Sequence, residues 1–320
     1  MFHQVTGSSN DIVPQTEYEK KYDTQQFVGR GNFSIVHLAI QKETGKKFAV
    51  KIIDKTKFMF QSKVLAALDR EVEILAKVQP HVNIVGFEEA FDEGDKLRIV
   101  MELLPGGDLL KLLKTRGPLD EETVRGFFLQ MVHVLKYLKT KGITHRDLKP
   151  DNFLVADGDV LKLADFGIAK GTSAGNALNT MCGTPAYLAP EVILGKPYDS
   201  RVDVYSIGVI LFFLLSCGDT PYQNAQSEPE LYQKVKNGDV DWSAPSWATV
   251  SPSAKDLIRQ LMALDPAQRI KLEDIEAHAW FNRVYAHLVL QGEKQDIFEL
   301  KSVITKIGRS GSEYRNGYLD

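Results

Sequence analysis

The sequence predicts an α+β fold in two lobes, a small β-rich lobe carrying one long helix and a larger, mainly helical lobe. Three observations carry this. Short β-rich runs fill the first third, one helical apolar stripe interrupts them, and after "PGGD" (105–108) long helical runs take over. At 320 residues the chain is long enough for both lobes to bury a substantial core.

Residues 1–17 are polar, lack a sustained period and are expected to form a flexible tail. "TQQFVGRG", "SIVHLAIQ" and "KKFAVKIID" read as strands, the last two joined by the turn "KETGKK". In "SKVLAALDREVEILAKV", Val64, Leu65, Leu68, Val72, Leu75 and Val78 share one helical face. "IVGFEEAF" and "KLRIVMELL" read as a strand pair across the acidic turn "DEGD". The expected boundaries are a first lobe over 18–101, a Gly-containing hinge at 102–107 and a second lobe over 108–281. In the second lobe "EETVRGFFLQMVHVLKYLKTKG" is a helix closed by Gly142, and "SPSAKDLIRQLMALD" is another. Residues 282–320 form an extension in which Leu300, Val303, Ile304 and Ile307 recur at helical spacing.

Charge and cysteine usage narrow the functional classes. With 39 Lys+Arg against 42 Asp+Glu and a formal net charge of -3, a nucleic-acid-binding surface is not indicated. Cys182 and Cys217 make neither a disulfide framework nor a zinc pattern, and the N-terminus has no apolar leader. An intracellular location, cytoplasmic or nuclear, is expected. The longest apolar stretch, "VYSIGVILFFLLSC" (204–217), is too short and interrupted to span a bilayer.

"GRGNFS" (29–34) is the first candidate motif. Gly29 and Gly31 fit a phosphate-binding loop, but Ser34 stands where a third glycine is usual. The strand-like "IVHLAI" that follows argues against a dinucleotide fold, which needs a helix there, and no GK[ST] makes a Walker loop. Taken alone, this is better read as an ordinary glycine-bearing β-turn.

The chemistry downstream decides. Phosphoryl transfer needs positioning and charge neutralisation more than covalent participation. "FAVK" puts the Lys51 ammonium on a strand where it can meet nucleotide phosphates, and Glu71 on the following helix can clamp it. "HRDLKPDN" offers Asp147 to accept a substrate hydroxyl's proton, Lys149 to steady the γ-phosphate and Asn152 as a Mg²⁺ ligand. "DFG" puts Asp165 on Mg²⁺, and "APE" (189–191) closes the segment. Any one of these residues is ordinarily just solvated; four motifs in fixed order are not.

On these motifs, residues from about 18 to 281 resemble a eukaryotic-type protein kinase domain. The resemblance implies a bilobal fold that binds ATP and Mg²⁺ and phosphorylates proteins. It makes Met101 the gatekeeper and Glu102 to Leu104 the hinge, with Val36, Ala49 and Leu154 around adenine. Gly29, Gly31 and Ser34 then cover the phosphates. Leu75, Phe87, His145 and Phe166 form an apolar spine anchored by Asp203, and Glu191 pairs with Arg269.

"HRDLKPDN" with "GTPAYLAPE", where Thr184 can bond Asp147 and Lys149, is similar to serine/threonine kinases. "GRGNFSIV", "DWSAPSWATVSPSAKDLIRQLMALDPAQRI" and "HAW" resemble the calcium/calmodulin-dependent group. "HVNIV" lacks the usual proline, and Tyr205 replaces a tryptophan. Asp108 and Asp151 match positions that greet substrate arginines, so basic residues N-terminal to the acceptor are expected; Asp108 either bonds the ATP ribose as well or simply caps the hinge. Thr180 sits at the family's phosphosite, where a phosphate could pair with Arg146, which implies an upstream activating kinase; the alternative is that Thr180 is unmodified and Arg146 simply bonds backbone. The extension is either an autoinhibitory, calmodulin-binding segment or a helix packed on the large lobe; Lys301, Lys306 and Arg309 make a thin basic set for calmodulin. The alternative function is a pseudokinase scaffold, against which Lys51, Asp147 and Asp165 are all present.

Overall fold

A computed structural model describes residues 15–31, 34–171, 178 and 182–281. It divides into two units, Met1–Leu65 with Phe87–Leu103, and Ala66–Gly86 with Leu104–Asp320.

The first unit opens on a capping box. The Thr16 hydroxyl accepts the Glu19 N–H and the Glu19 carboxylate accepts the Thr16 N–H, which starts α1 (Glu17–Lys21). Thr16 and Glu17, at the end of the segment expected to be a tail, thus belong to this helix start, and residues 1–14 lie outside the described residues. Then come β1 (Tyr22–Arg30), β2 (Ser34–Gln41) and β3 (Lys47–Asp54), followed by α2 (Ser62–Lys77), β4 (Phe87–Asp92) and β5 (Lys96–Glu102). The strands form one antiparallel sheet in the order β1-β2-β3-β5-β4. Because side chains alternate along a strand, register sorts the residues by face. Tyr22, Ala39, Phe48, Val50 and Val100 share the face that α1 covers, and Tyr18 of α1 stacks on Tyr22 with ring centroids 5.4 Å apart. Gly29, Val36, Ala49, Lys51 and Met101 share the opposite face.

The unit division assigns residues 66–86 to the second unit. Their backbone is tied there. Ile84 bridges Leu163, the Val85 N–H donates to the Leu163 carbonyl at 3.0 Å, and Asn83 donates to Gln130 and the Leu161 carbonyl at 2.8 and 2.9 Å. The expected strand "IVGFEEAF" is thus split, with β4 starting only at Phe87.

The second unit continues with α3 (Leu109–Arg116), α4 (Glu121–Thr140), β6 (Ile143–Thr144), β7 (Phe153–Ala156), β8 (Val160–Leu163), β9 (Lys170–Gly171), α5 (Pro190–Ile193), α6 (Arg201–Leu215), α7 (Glu228–Asn237) and α8 (Pro252–Leu261). Asp120 caps α4, and Gly142 follows its end at φ 66°, a conformation that favours glycine. The long apolar stretch is α6, buried from Val202 through Leu215, so it is a core helix; no helix among the described residues is long and apolar enough to cross a membrane. A β-carbon on Gly208 of α6 would lie 2.7 Å from Leu261 Cβ, so this close crossing with α8 requires glycine.

The expected Glu191–Arg269 pair is present and buried. Two parallel bonds of 2.7 and 3.0 Å join the groups, and the guanidinium also donates to the carbonyls of Arg201 and Ala263. With side chains 0% and 5% exposed, removing one charge strands the other. Arg269→Ala is expected to cost about 3–5 kcal/mol in urea denaturation.

Candidate active site

The loop after β6 holds the catalytic candidates, and its backbone is strained. Arg146 sits at φ 71°, in the left-handed region a non-glycine residue adopts at a cost of about 1–2 kcal/mol. Asp203, in the first turn of α6, holds it there. One carboxylate oxygen accepts the His145 N–H at 2.8 Å and the other accepts the Arg146 N–H at 2.9 Å. Burial pushes the Asp203 carboxyl up from its ordinary range, while His145 and those two N–H groups pull it back.

His145, 0% exposed, packs edge-on to Phe166 with centroids 5.0 Å apart. Burial drives its imidazole below the ordinary value of 6.5 against the opposing pull of Asp203, Asp147 and Asp165. Leu75 and Phe166 are equally buried, at 1% exposure each, whereas Phe87 is half-buried on β4 of the other unit. The Arg146 guanidinium donates to the Ile168 carbonyl through Nε at 2.7 Å and through a second nitrogen, and to the Tyr198 hydroxyl at 3.4 Å. Thr180, its expected phosphorylated partner, lies outside the described residues, as does the extension 282–320.

Asp147 is surrounded by donors. Its Oδ1 accepts the Thr184 N–H at 2.9 Å and the Thr184 hydroxyl at 2.8 Å. Its Oδ2 accepts the Lys149 ammonium at 3.0 Å and, more weakly, the Asn152 amide at 3.4 Å. Lys149 also donates to Thr184 Oγ1 at 3.0 Å. The expected Thr184–Asp147–Lys149 set is therefore assembled, and the carboxylate can neither rotate nor withdraw without breaking several bonds.

A Mg²⁺ ion fits the donors beside it. The Asn152 amide nitrogen is committed to the Asp147 carbonyl at 2.7 Å, which turns its carbonyl oxygen away as a hard acceptor. The Ala164 N–H donates to the backbone carbonyl of Asn152 at 2.8 Å, bringing exposed Asp165, at φ 60°, next along the chain. One amide oxygen and one carboxylate suit Mg²⁺, which takes few protein ligands and completes its shell with phosphates and water. No cluster of three or more His, Cys, Asp or Glu among the described residues offers another metal site. A β-carbon on Gly167 would lie 3.3 Å from the Asp165 carboxylate and 3.5 Å from that of Glu71, which is 2% exposed. Gly167 keeps room between these two acids.

Other candidates take mixed places. Asp108 is the N-cap of α3, accepting the Lys111 N–H at 2.7 Å, and forms a bridge to Leu154. Gly106, in the expected hinge, must be glycine because a β-carbon there would lie 2.2 Å from the Val155 carbonyl oxygen. Leu104 follows the unit boundary. Asp151 is exposed in the turn Pro150–Asn152, and its charge adds to the burial that raises the Tyr187 hydroxyl. In the first unit, Val36 lies opposite Lys51, Ala49 opposite Met101, and Glu102 opposite Phe48. Ser34 starts β2 opposite Ile53 in ordinary strand pairing, so no third glycine is needed. Its hydroxyl lies 2.7 Å from where a β-carbon on Gly31 would sit, so Gly31 makes room for Ser34.

Ile168 and Tyr198 were not legible from the sequence. The first acts through its carbonyl, which any residue supplies, and the second lies 52 residues from Arg146. His145→Phe keeps the ring contact and removes the titration. The unfolded chain binds a proton near pH 6.5 that folded His145 refuses, so stability falls as pH drops below 6.5 toward the depressed folded value. Denaturation midpoints of His145→Phe are expected to lose this slope.

The described geometry agrees with what the chain is similar to. Residues 22–281 match the family described as "Protein kinase domain". A probable myosin light chain kinase of Dictyostelium discoideum is 41% identical over 265 residues, which cover 82% of this chain and 74% of that one. The calcium/calmodulin-dependent protein kinase type 1 of Caenorhabditis elegans is 37% identical over 281 residues, 86% of this chain and 79% of that one. The probable serine/threonine-protein kinase fhkC of D. discoideum is 39% identical over 268 residues, 82% of this chain but 44% of that one. Two further D. discoideum relatives are matched over 39% and 43% of their length, so the chain spans less than half of these curated relatives. The chain belongs to the protein kinase domain family, among relatives that are serine/threonine kinases and in resemblance to the calcium/calmodulin-dependent group.

Proposed function

We propose that the chain transfers the γ-phosphoryl group of ATP to Ser and Thr hydroxyls of protein substrates. The observation that carries this is the Asp147 carboxylate, held by Thr184, Lys149 and Asn152, with the Asn152 backbone carbonyl tied to Ala164, next to Asp165. Asp147 accepts the hydroxyl proton as the oxygen attacks. Lys149 stands beside it with a positive charge that offsets charge gathering on the transferred group. Asn152 and Asp165 would hold Mg²⁺, which when bound would neutralise charge on the phosphates. Gly29, Gly31 and Lys51 serve the phosphates, Glu71 steadies Lys51, and Val36, Ala49, Met101, Glu102 and Leu154 take the adenine.

The finer reading has separate support. Asp151 is exposed and Asp108 uses one carboxylate oxygen for its helix cap, which leaves acidic oxygens for basic residues N-terminal to the acceptor. Phosphorylation of Thr180 by an upstream kinase would bring charge toward Arg146, which in its present contacts rests on a carbonyl and a hydroxyl. Calmodulin binding by 282–320 is supported only by the names of relatives and by three basic residues.

Turnover of ATP onto a basic Ser/Thr peptide tests the reading. Asp147→Asn is expected to lower kcat by about 10²–10⁴ with the melting temperature nearly kept. Wild type and Asp147→Asn equally silent, with Mg²⁺ present and Thr180 phosphorylated, would instead indicate a scaffold that binds nucleotide without turnover. A peptide library should show enrichment of Arg and Lys before the acceptor, and Thr180→Ala should abolish activation by phosphorylation.

A further inference from the structure

Three consecutive residues, 182 to 184, lie along Arg146 and Asp147, and each is held there differently. Thr184 bonds the Asp147 carboxylate through its N–H and its hydroxyl. Gly183 rests on the Arg146 backbone. A β-carbon there would lie 2.6 Å from the Arg146 carbonyl oxygen and 2.8 Å from Leu188, and its φ of 114° is one that side chains rarely adopt. Cys182 reaches Arg146 through a third residue. The Tyr198 hydroxyl lies 3.4 Å from a terminal nitrogen of the Arg146 guanidinium and 3.9 Å from the Cys182 sulfur.

The chemistry of these groups orders the contacts. A guanidinium only donates, so the Tyr198 oxygen accepts from Arg146 and its own proton is left for the sulfur. Tyr198 is 5% exposed. Burial pushes its hydroxyl above the ordinary value of 10.0 while Arg146 pulls it back, so the phenol stays neutral and keeps that proton. The other donors of Arg146 go to the Ile168 carbonyl. The rest of Tyr198 is fixed without its hydroxyl. Its N–H and carbonyl exchange bonds of 3.0 and 2.8 Å with Leu178, and it stands three residues before Arg201 opens α6. The hydroxyl is thus a single atom, on a ring held from behind, that joins the residue before Asp147 to the stretch carrying Thr184.

We propose that Tyr198 is a positioning residue for phosphoryl transfer: its hydroxyl bridges Arg146 and Cys182 and so keeps Thr184 in register on Asp147. The inference rests on the reaction proposed above. Tyr198 acts through Thr184 and not on the reacting atoms.

Tyr198→Phe in the full chain removes the bridging oxygen and leaves the ring and both backbone bonds. Two readouts need no catalysis. Amide hydrogen exchange at Thr184, whose N–H is bonded to Asp147, is expected to speed up about three- to tenfold while amides in the middle of α6 keep their protection. Alkylation of Cys182 by iodoacetamide should rise by a similar factor relative to exposed Cys217 in the same chain. With a basic Ser/Thr peptide, kcat is expected to fall about three- to tenfold at unchanged KM for ATP. Unchanged exchange at Thr184 would overturn the proposal, as would an unchanged alkylation ratio. So would a lowered melting temperature with kcat unchanged, since that is the mark of a residue that only supports the fold. A wild-type chain without turnover would contradict the reaction itself, and faster exchange and alkylation would then establish the bridge alone.

Discussion

The second unit is organised around one buried carboxylate. Asp203 gives each of its oxygens to one backbone N–H, and the two residues it holds are the ones that lead into Asp147. A left-handed Arg146 would relax if left to itself, because strain of this kind persists only where the surroundings over-determine it. Here the surroundings are α6, a helix so deeply buried that its first turn cannot shift without opening the core. A hydrogen bond to a charged acceptor contributes about 1.5–3 kcal/mol, so the two together exceed the cost of the strained residue.

Other parts of the site depend on the same helix. Ser206, one turn after Asp203, donates to the Tyr187 carbonyl at 2.9 Å and so holds the turn that follows Thr184. Arg269 ties the Arg201 carbonyl at the start of α6 to Glu191. The reactive groups thus lie on loops, while the groups that fix those loops are buried in a rigid element, the usual division between adaptable function and fixed scaffold. Asp147 acquires its geometry from neighbours that come from both stretches, Lys149 and Asn152 from one and Thr184 from the other.

Much of this was legible because the residues involved have few substitutes. A fork-shaped guanidinium facing a buried carboxylate, as at Glu191 and Arg269, leaves a mark in both residue types. So do the acids of "HRDLKPDN" and "DFG". The strands of the first unit were legible from alternation, and their register makes Val36, Ala49 and Lys51 share a face as their proposed shared role requires. What could not be read depends on backbone atoms or on distant pairing. The Ile168 carbonyl has no signature, and the tie of Asn83 to Leu161 and Gln130, which moves residues 66–86 into the second unit, joins segments far apart in sequence. The short α1 was hidden in polar sequence, since its stability comes from Tyr18 packing on Tyr22 and Phe91 and not from any period of its own. Ser34, which looked like a defect in a glycine loop, is an ordinary strand residue, and the constraint falls on Gly31 instead.

The dependence of the catalytic loop on Asp203 is most directly measured by backbone amide hydrogen exchange at His145 and Arg146 in Asp203→Asn. An asparagine side chain offers one acceptor oxygen and turns a donor toward the other N–H, so one of the two bonds is lost. Exchange at His145 or at Arg146 should then speed up about 10–100-fold, the equivalent of about 1.5–3 kcal/mol, while amides in the middle of α6 keep their protection. Unchanged exchange at both would contradict the account, because the strained loop would then be held by something other than this carboxylate.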